Sequence, residues 1–348
     1  MRRCLAAFNF NYTTTYPVLD HSLIRYWIIL YLTFSVSNFS SAQVNRQLKK
    51  IEQHLSNYEL VAGEKKMDKM ARKLSVKHKK YNNFLLQKAK LAQLKGTPQA
   101  AIQAIDQAIA RTPVHQQAAL FALKGKAIFD LENYALADSL FRKAHHLQMQ
   151  YDATNYALKA KILTDLGGVY IEQTNYPTAD SLYTIAKKIV EQNQLKNFLL
   201  YPEILYRIAE AQYQQDDLST AENTLKKSAA YLDKLVAPDH PEQAFIKIHQ
   251  GLIFEKNGKH TAAETTFRQA LDIRADTYGK NHPLYAKTLR NIARSLYHQG
   301  KYAKAETLLL EVKSAPFLSK TTASYAFTMN TLGIVYEEMG KHEAAIEA

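Results

Sequence analysis

The chain has 348 residues, 47% of them hydrophobic, which is material for a large core and too apolar for a disordered chain. Its 11 Gly and 9 Pro are too few for the tight hairpins of an all-β protein, and long stretches of Ala, Leu, Lys and Gln favour helix, so the fold class is all-α. The net charge of +13 would suggest a nucleic-acid partner, but it is local: residues 43–95 hold 14 Lys/Arg against 4 Asp/Glu, whereas residues 96–348 hold 28 against 27.

Residues 1–42 read as a leader. Arg25 precedes an apolar run from Tyr26 to Leu32 that continues through Phe34 to Val36, and the small residues Ser40 and Ala42 come after it. That order matches a secretory signal peptide cleaved after Ala42, which predicts an exported protein, secreted or periplasmic. The run falls short of the ~20 apolar residues that a spanning helix needs; an uncleaved anchor through residues 23–36 is the alternative. The single cysteine, Cys4, lies in the leader. The predicted mature chain therefore has no disulfide, thiolate metal ligand or cysteine nucleophile, which suits an oxidising compartment.

Residues 43–80 form a basic segment. Val44, Leu48, Ile51 and Leu55 make one helical stripe, and Met67, Met70 and Leu74 another. The segment is expected to be helical, off-register from the array that begins at Tyr81, and to cap that array. Its Lys-rich stretch, residues 65–80, is either a solvated helix face or a contact for an acidic surface.

From Tyr81 the chain repeats. Ala recurs at 101, 137, 179, 221, 263, 305 and 345, with spacings of 36, 42, 42, 42, 42 and 40. Four residues after it stands a large apolar side chain (Ile105, Phe141, Tyr183, Leu225, Phe267, Leu309), and seven after it a small one in all but Val312. Twelve residues before it stands another small residue: Ala89, Gly125, Gly167, Ala209, Gly251, Ala293, Gly333. Offsets of three and four place each set on one helical stripe. Between the stripes lie turns, clearest at Gly258, Gly300 and Gly340, where Gly suits the left-handed residue that ends a helix. Each unit is thus two helices joined by a tight turn. One such hairpin cannot bury its own stripe, so neighbours must stack into a solenoid.

These columns resemble the tetratricopeptide repeat over residues 81–348, as about seven units of which the last is cut short. The stretch Leu271-Asp272-Ile273-Arg274, Gly279-Lys280-Asn281-His282-Pro283, Ala286, Leu289 and Ala293 is similar to the 42-residue units of kinesin light chains and many bacterial sensor proteins. Asp239-His240-Pro241 and Asn281-His282-Pro283 each read as a helix start. The resemblance implies a right-handed superhelix of antiparallel helix hairpins that binds a peptide or protein in its concave groove. Carried over column by column, the inner face would present Lys161, Thr164, Glu203, Tyr206, Glu210, Tyr213, Phe245, Ile248, Lys287, Arg290, Arg294, Tyr297, Asn330 and Glu337. The groove candidates among these are Tyr206, Tyr213, Arg290, Arg294 and Tyr297, partly exposed, with Ala209, Ala293 and Phe267 buried behind them. Each Tyr reads equally as packing between adjacent first helices. The basic-plus-asparagine set with which chaperone-binding relatives hold carboxylates is absent from the corresponding columns.

No catalytic, cofactor or metal constellation emerges. His342-Glu343 lacks a second His at helical spacing, His145 and His146 point to different faces, and Gly167-Gly168 is an isolated pair rather than a phosphate loop. The expectation is a non-enzymatic interaction scaffold with a protein or peptide partner and no nucleic acid. The last helix stops at Ala348 before its stripe residues, which reads as a fragment of a longer protein. The alternative function is the sensory arm of a larger signalling protein or enzyme with its output domain beyond residue 348.

Overall fold

The computed structural model describes residues 41–196, 198–318 and 322–348; the leader and all but the end of its proposed cleavage signal lie outside them. The described residues form α-helices, one short 3-10 turn and no strand. A leading hairpin, α1 (Ser41–Ser56) and α2 (Leu60–Ala71), is followed by seven more. These are α3 (Tyr81–Leu94) with α4 (Pro98–Ile109), α5 (Ala118–Phe129) with α6 (Tyr134–Tyr151), and α7 (Tyr156–Glu172) with α8 (Tyr176–Gln192). Next come α9 (Leu200–Gln214) with α10 (Leu218–Leu232), and α11 (Pro241–Lys256) with α12 (His260–Tyr278). The series ends with α13 (Pro283–His298) and α14 (Tyr302–Lys313), then α15 (Ala323–Glu338) and α16 (His342–Glu347). Each helix packs on its sequence neighbours, and first helices of successive hairpins also touch, which winds the array into a right-handed superhelix.

Local chemistry starts these helices. Asn133, Asn155, Asn175 and Asp217 each accept a hydrogen bond from the backbone N–H three residues on, satisfying a donor that the first turn leaves open. His240 and His282, ahead of Pro241 and Pro283, accept with Nδ1 from the backbone N–H two residues on. The turn inside every hairpin holds one left-handed residue, five positions before the Ala column. The set is Tyr58, Gly96, Glu132, Thr174, Asp216, Gly258, Gly300 and Gly340, with φ between +55° and +73°. The leading hairpin shares this register: Gly63 stands five residues after Tyr58, and Gly63, Met67 and Met70 are buried like their counterparts. This corrects the expectation that the segment is off-register. Two residues depart from the pattern: Ile51 stands where the other hairpins carry Gly or Ala, and Met70 where all but Val312 are small.

Inside each hairpin the small residue and the large one are matched in size. Gly125 faces Phe141, Gly167 faces Tyr183 and Gly251 faces Phe267; a Cβ at Gly125 or Gly251 would lie 2.9 or 2.5 Å from the ring. Where the partner is aliphatic, the small residue is Ala: Ala89 with Ile105, Ala209 with Leu225, Ala293 with Leu309, all buried. A flat ring fills the space up to the facing backbone and leaves no room for a methyl group. In the column seven residues after the Ala, Ser228 replaces Ala, and its buried hydroxyl donates to the Pro202 carbonyl at 2.6 Å.

The superhelix meets itself after five hairpins, and the left-handed turn residues make the seam. The Tyr58 hydroxyl donates to Glu242 Oε1 at 3.3 Å, and its ring sits edge-on to His240 and Tyr278. Gly96 abuts Pro283 and His282 so closely that a Cβ there would lie 2.7 Å from the proline ring. Glu132 accepts from the Ala323 and Ser324 backbone N–H groups at 2.6 and 3.3 Å, capping α15 from across the turn.

Candidate functional site

Helices α7, α9, α11 and α13 line the inner wall of this superhelix. On α7, Lys161 reaches Asp165 and, on α9, Glu203, each at 2.8 Å. Burial disfavours the ammonium, but the two carboxylates more than offset that and raise its pKa. The side chain is still 40% exposed, because water reaches a concave wall that protein surrounds. Next along, Arg207 pairs with Glu210 at 2.8 Å, and His249 Nε2 of α11 stands 3.6 Å from the same carboxylate. Burial alone would push the Glu210 carboxyl up; Arg207 and His249 hold it far below the usual carboxylate range. Arg294 of α13 grips Glu255 of α11 with two N–H groups, at 2.8 and 2.7 Å.

The groove candidates fall into two groups. Tyr213, Arg290, Arg294 and Tyr297 are partly exposed on the wall. Tyr206 is only 4% exposed, which corrects the expectation of a partly open ring. It stacks on Phe245 with centroids 5.7 Å apart and planes 6° from parallel, and is tilted against His249. Thr164 and Ile248, also expected on the inner face, are buried. The two arginines are not free groove charges. Arg294 neutralises a buried carboxylate, and Arg290 Nη1 donates to the Ser324 carbonyl at 2.6 Å, tying α13 to α15.

The structure adds three residues that the sequence columns missed: Arg274, Glu242 and Tyr58. Arg274, on the second helix α12, passes beneath α13, where its Nη1 donates to the Leu284 carbonyl at 2.9 Å and to Thr288 Oγ1 at 2.6 Å. It is 2% exposed, its Nε has no hydrogen-bond partner among the described residues, and burial pulls its pKa down to about 10. Glu242, bonded to Tyr58 across the seam, has its carboxyl pushed up to about 7 by burial first and Glu203 second. Column reasoning looked only at first helices within a neighbourhood, so a second-helix arginine and a cross-turn pair escaped it. The arginine in Leu271-Asp272-Ile273-Arg274 was in plain view, but nothing in its spacing signals burial.

Residues 200–276 and 244–314 match the tetratricopeptide repeat family. No curated protein matches the sequence. Among solved structures, a Rap protein complexed with competence and sporulation factor is similar at 14% identity, with a TM-score of 0.60, over 88% of this chain and 96% of that one. NprR in complex with its cognate peptide NprX is similar at 13% identity, with a TM-score of 0.60, over 89% of each chain. Kinesin light chain repeats from Podosopora anserina match at 20% identity and a TM-score of 0.43, over 53% of this chain and 88% of that one. The hairpins, their columns and the family match agree: residues 200–314 are tetratricopeptide repeats, and the described hairpins on either side continue the same fold.

Proposed function

We propose that the chain is an interaction scaffold that holds an extended peptide or protein segment along its inner wall. The observation that carries this reading is the wall itself: Tyr213, Phe245 and Tyr297 stand partly open beside fixed charges, on helices locked by their neighbours. Rigid aromatic faces beside oriented charges gain binding energy at low entropic cost. The similar Rap and NprR structures hold competence and sporulation factor and the peptide NprX respectively, which supports a peptide-sized ligand on this fold.

Gly168 supplies the test. It lies on the inner side of α7, and a Cβ there would have no atom within 4 Å. Gly168→Leu should gain ~1 kcal/mol of helix propensity while its side chain fills part of the groove. Peptides selected by display on the wild-type chain should lose binding to this variant although its melting temperature does not fall. Selected peptides that bind both proteins equally would place the interaction on another face. Export through the apolar run ending at Val36 belongs to the same proposal. Mass spectrometry of the secreted chain should find Gln43 at the N-terminus, and a retained leader would favour an anchor.

A further inference from the structure

Residues 43–80 hold 11 Lys/Arg against 4 Asp/Glu, and the hairpin α1–α2 that they build stands first in the array. Gly63, Met67 and Met70 of α2 are buried. Offsets of four, four and three put Val61, Lys65, Lys69 and Arg72 on the opposite side of that helix, and all four are exposed. Lys77 and Lys79, in the turns that follow, are exposed too. No hydrogen bond or ion pair among the described residues engages the side chains of Lys65, Lys69 or Arg72. Glu64 is held by Lys95, which leaves Asp68 as the one carboxylate on this side of α2.

Two valines decide what such a surface fits. Val61 is 81% exposed at one end of the stripe, and Val76 is 55% exposed beyond the other. A nucleic-acid backbone offers these side chains nothing, and residues 60–80 contain no Phe, Tyr or Trp on which a base could stack. Seven of the eight Lys/Arg between residues 65 and 80 are Lys, point charges rather than the planar fork that grips phosphate with two bonds. A bilayer uses both features. The valines go below the headgroups, and the Lys stems follow them while each ammonium stays with lipid phosphate.

We propose that the outward side of the leading hairpin, Lys65, Lys69 and Arg72 with Val61 and Val76, docks on an anionic lipid bilayer. The helix α2 is the second of its hairpin, whereas first helices line the inner wall, so the docked chain keeps its groove open. The docking is independent of what the groove holds.

Vesicle co-sedimentation of the full chain tests this, with equal parts of phosphatidylglycerol and phosphatidylcholine against phosphatidylcholine alone. The chain should bind the anionic vesicles about tenfold more tightly or better, and the difference should shrink as salt rises. The triple variant Lys65→Gln, Lys69→Gln, Arg72→Gln should lower that affinity about a hundredfold. Its melting temperature should not change, since these side chains make no bond to lose. Val61→Gln should lower the affinity severalfold by removing an inserted side chain. Equal binding to the two vesicles would assign the attachment to the apolar run ending at Val36 and overturn the proposal. Binding to neither, or wild-type affinity in the triple variant, would overturn it as well. So would binding of a labelled single-stranded RNA or a poly-glutamate peptide by a chain that leaves anionic vesicles alone, since the partner would then be another macromolecule.

Discussion

The matched pairs inside the hairpins allow a double-mutant test of what holds the array together. In Gly251→Ala the new Cβ would sit 2.5 Å from Phe267, a ring that is fully buried, against the 3.4–4 Å of ordinary contact. Neither helix can move without disturbing its neighbours, so overpacking should cost ~1–3 kcal/mol. Replacing Gly with Ala inside a helix returns ~1 kcal/mol, which leaves a net loss of up to about 2 kcal/mol. Phe267→Leu alone removes ring volume and should cost ~1–3 kcal/mol. The double variant rebuilds the Ala–Leu pair already present at Ala209–Leu225 and Ala293–Leu309. It should therefore be about 1 kcal/mol more stable than Phe267→Leu alone, because the clash is gone and the helix propensity remains. Urea titrations of all four proteins measure the coupling. If the two substitutions simply add, the size matching is coincidental and the reasoning about the columns is wrong.

The seam and the wall carry further expectations. Glu242 has a folded-state pKa of about 7 against a usual 4.5, so its contribution is fully present below about pH 4.5 and is lost as pH rises through 7. Glu242→Gln should thus stabilise the chain at pH 8 by on the order of 1–3 kcal/mol and little at pH 5; equal effects at both pH values in thermal melts would contradict this. Thr174 holds a left-handed backbone conformation that a β-branched residue resists, so Thr174→Gly should gain ~1 kcal/mol. Glu132→Gly relieves the same strain but removes the cap on α15, and guanidinium titration should show it no more stable than wild type. Arg294→Ala leaves Glu255, whose side chain is 7% exposed, unpaired. It should cost ~1–3 kcal/mol, below the usual range for a buried pair because Arg294 is itself 43% exposed, and Glu255→Gln in the same chain should restore part of the loss.

The repeat was legible because each column is enforced by contacts between sequence neighbours. Tyr183 packs against Gly167 of the adjoining helix, so a short window of sequence contains both partners. The inner wall was legible in part, since Tyr213, Arg290, Arg294 and Tyr297 do lie partly exposed on it. Tyr206 was misplaced because its burial depends on Phe245, a residue of the next repeat whose ring orientation no spacing encodes. Five of the left-handed turn residues were missed for another reason. At Tyr58, Glu132, Thr174 and Asp216 the chain bears the conformation without glycine, so composition gives no sign of it, and the glycine at 96 was not singled out.

The seam changes how the molecule assembles. An array whose hairpins touch only their neighbours can nucleate anywhere and fray from either end, each unit nearly independent of distant ones. Here the Tyr58–Glu242 and Glu132–Ala323 bonds join positions 184 and 191 residues apart. Closing a loop of that length costs about 4–5 kcal/mol of chain entropy, so these bonds form after the hairpins between them have stacked. The leading hairpin thus locks onto the fifth repeat as a late step, which slows folding relative to a purely local array. Once made, it ties the fraying of the leading hairpin to that of α11 and α12, so loss of one end is felt more than halfway along the chain.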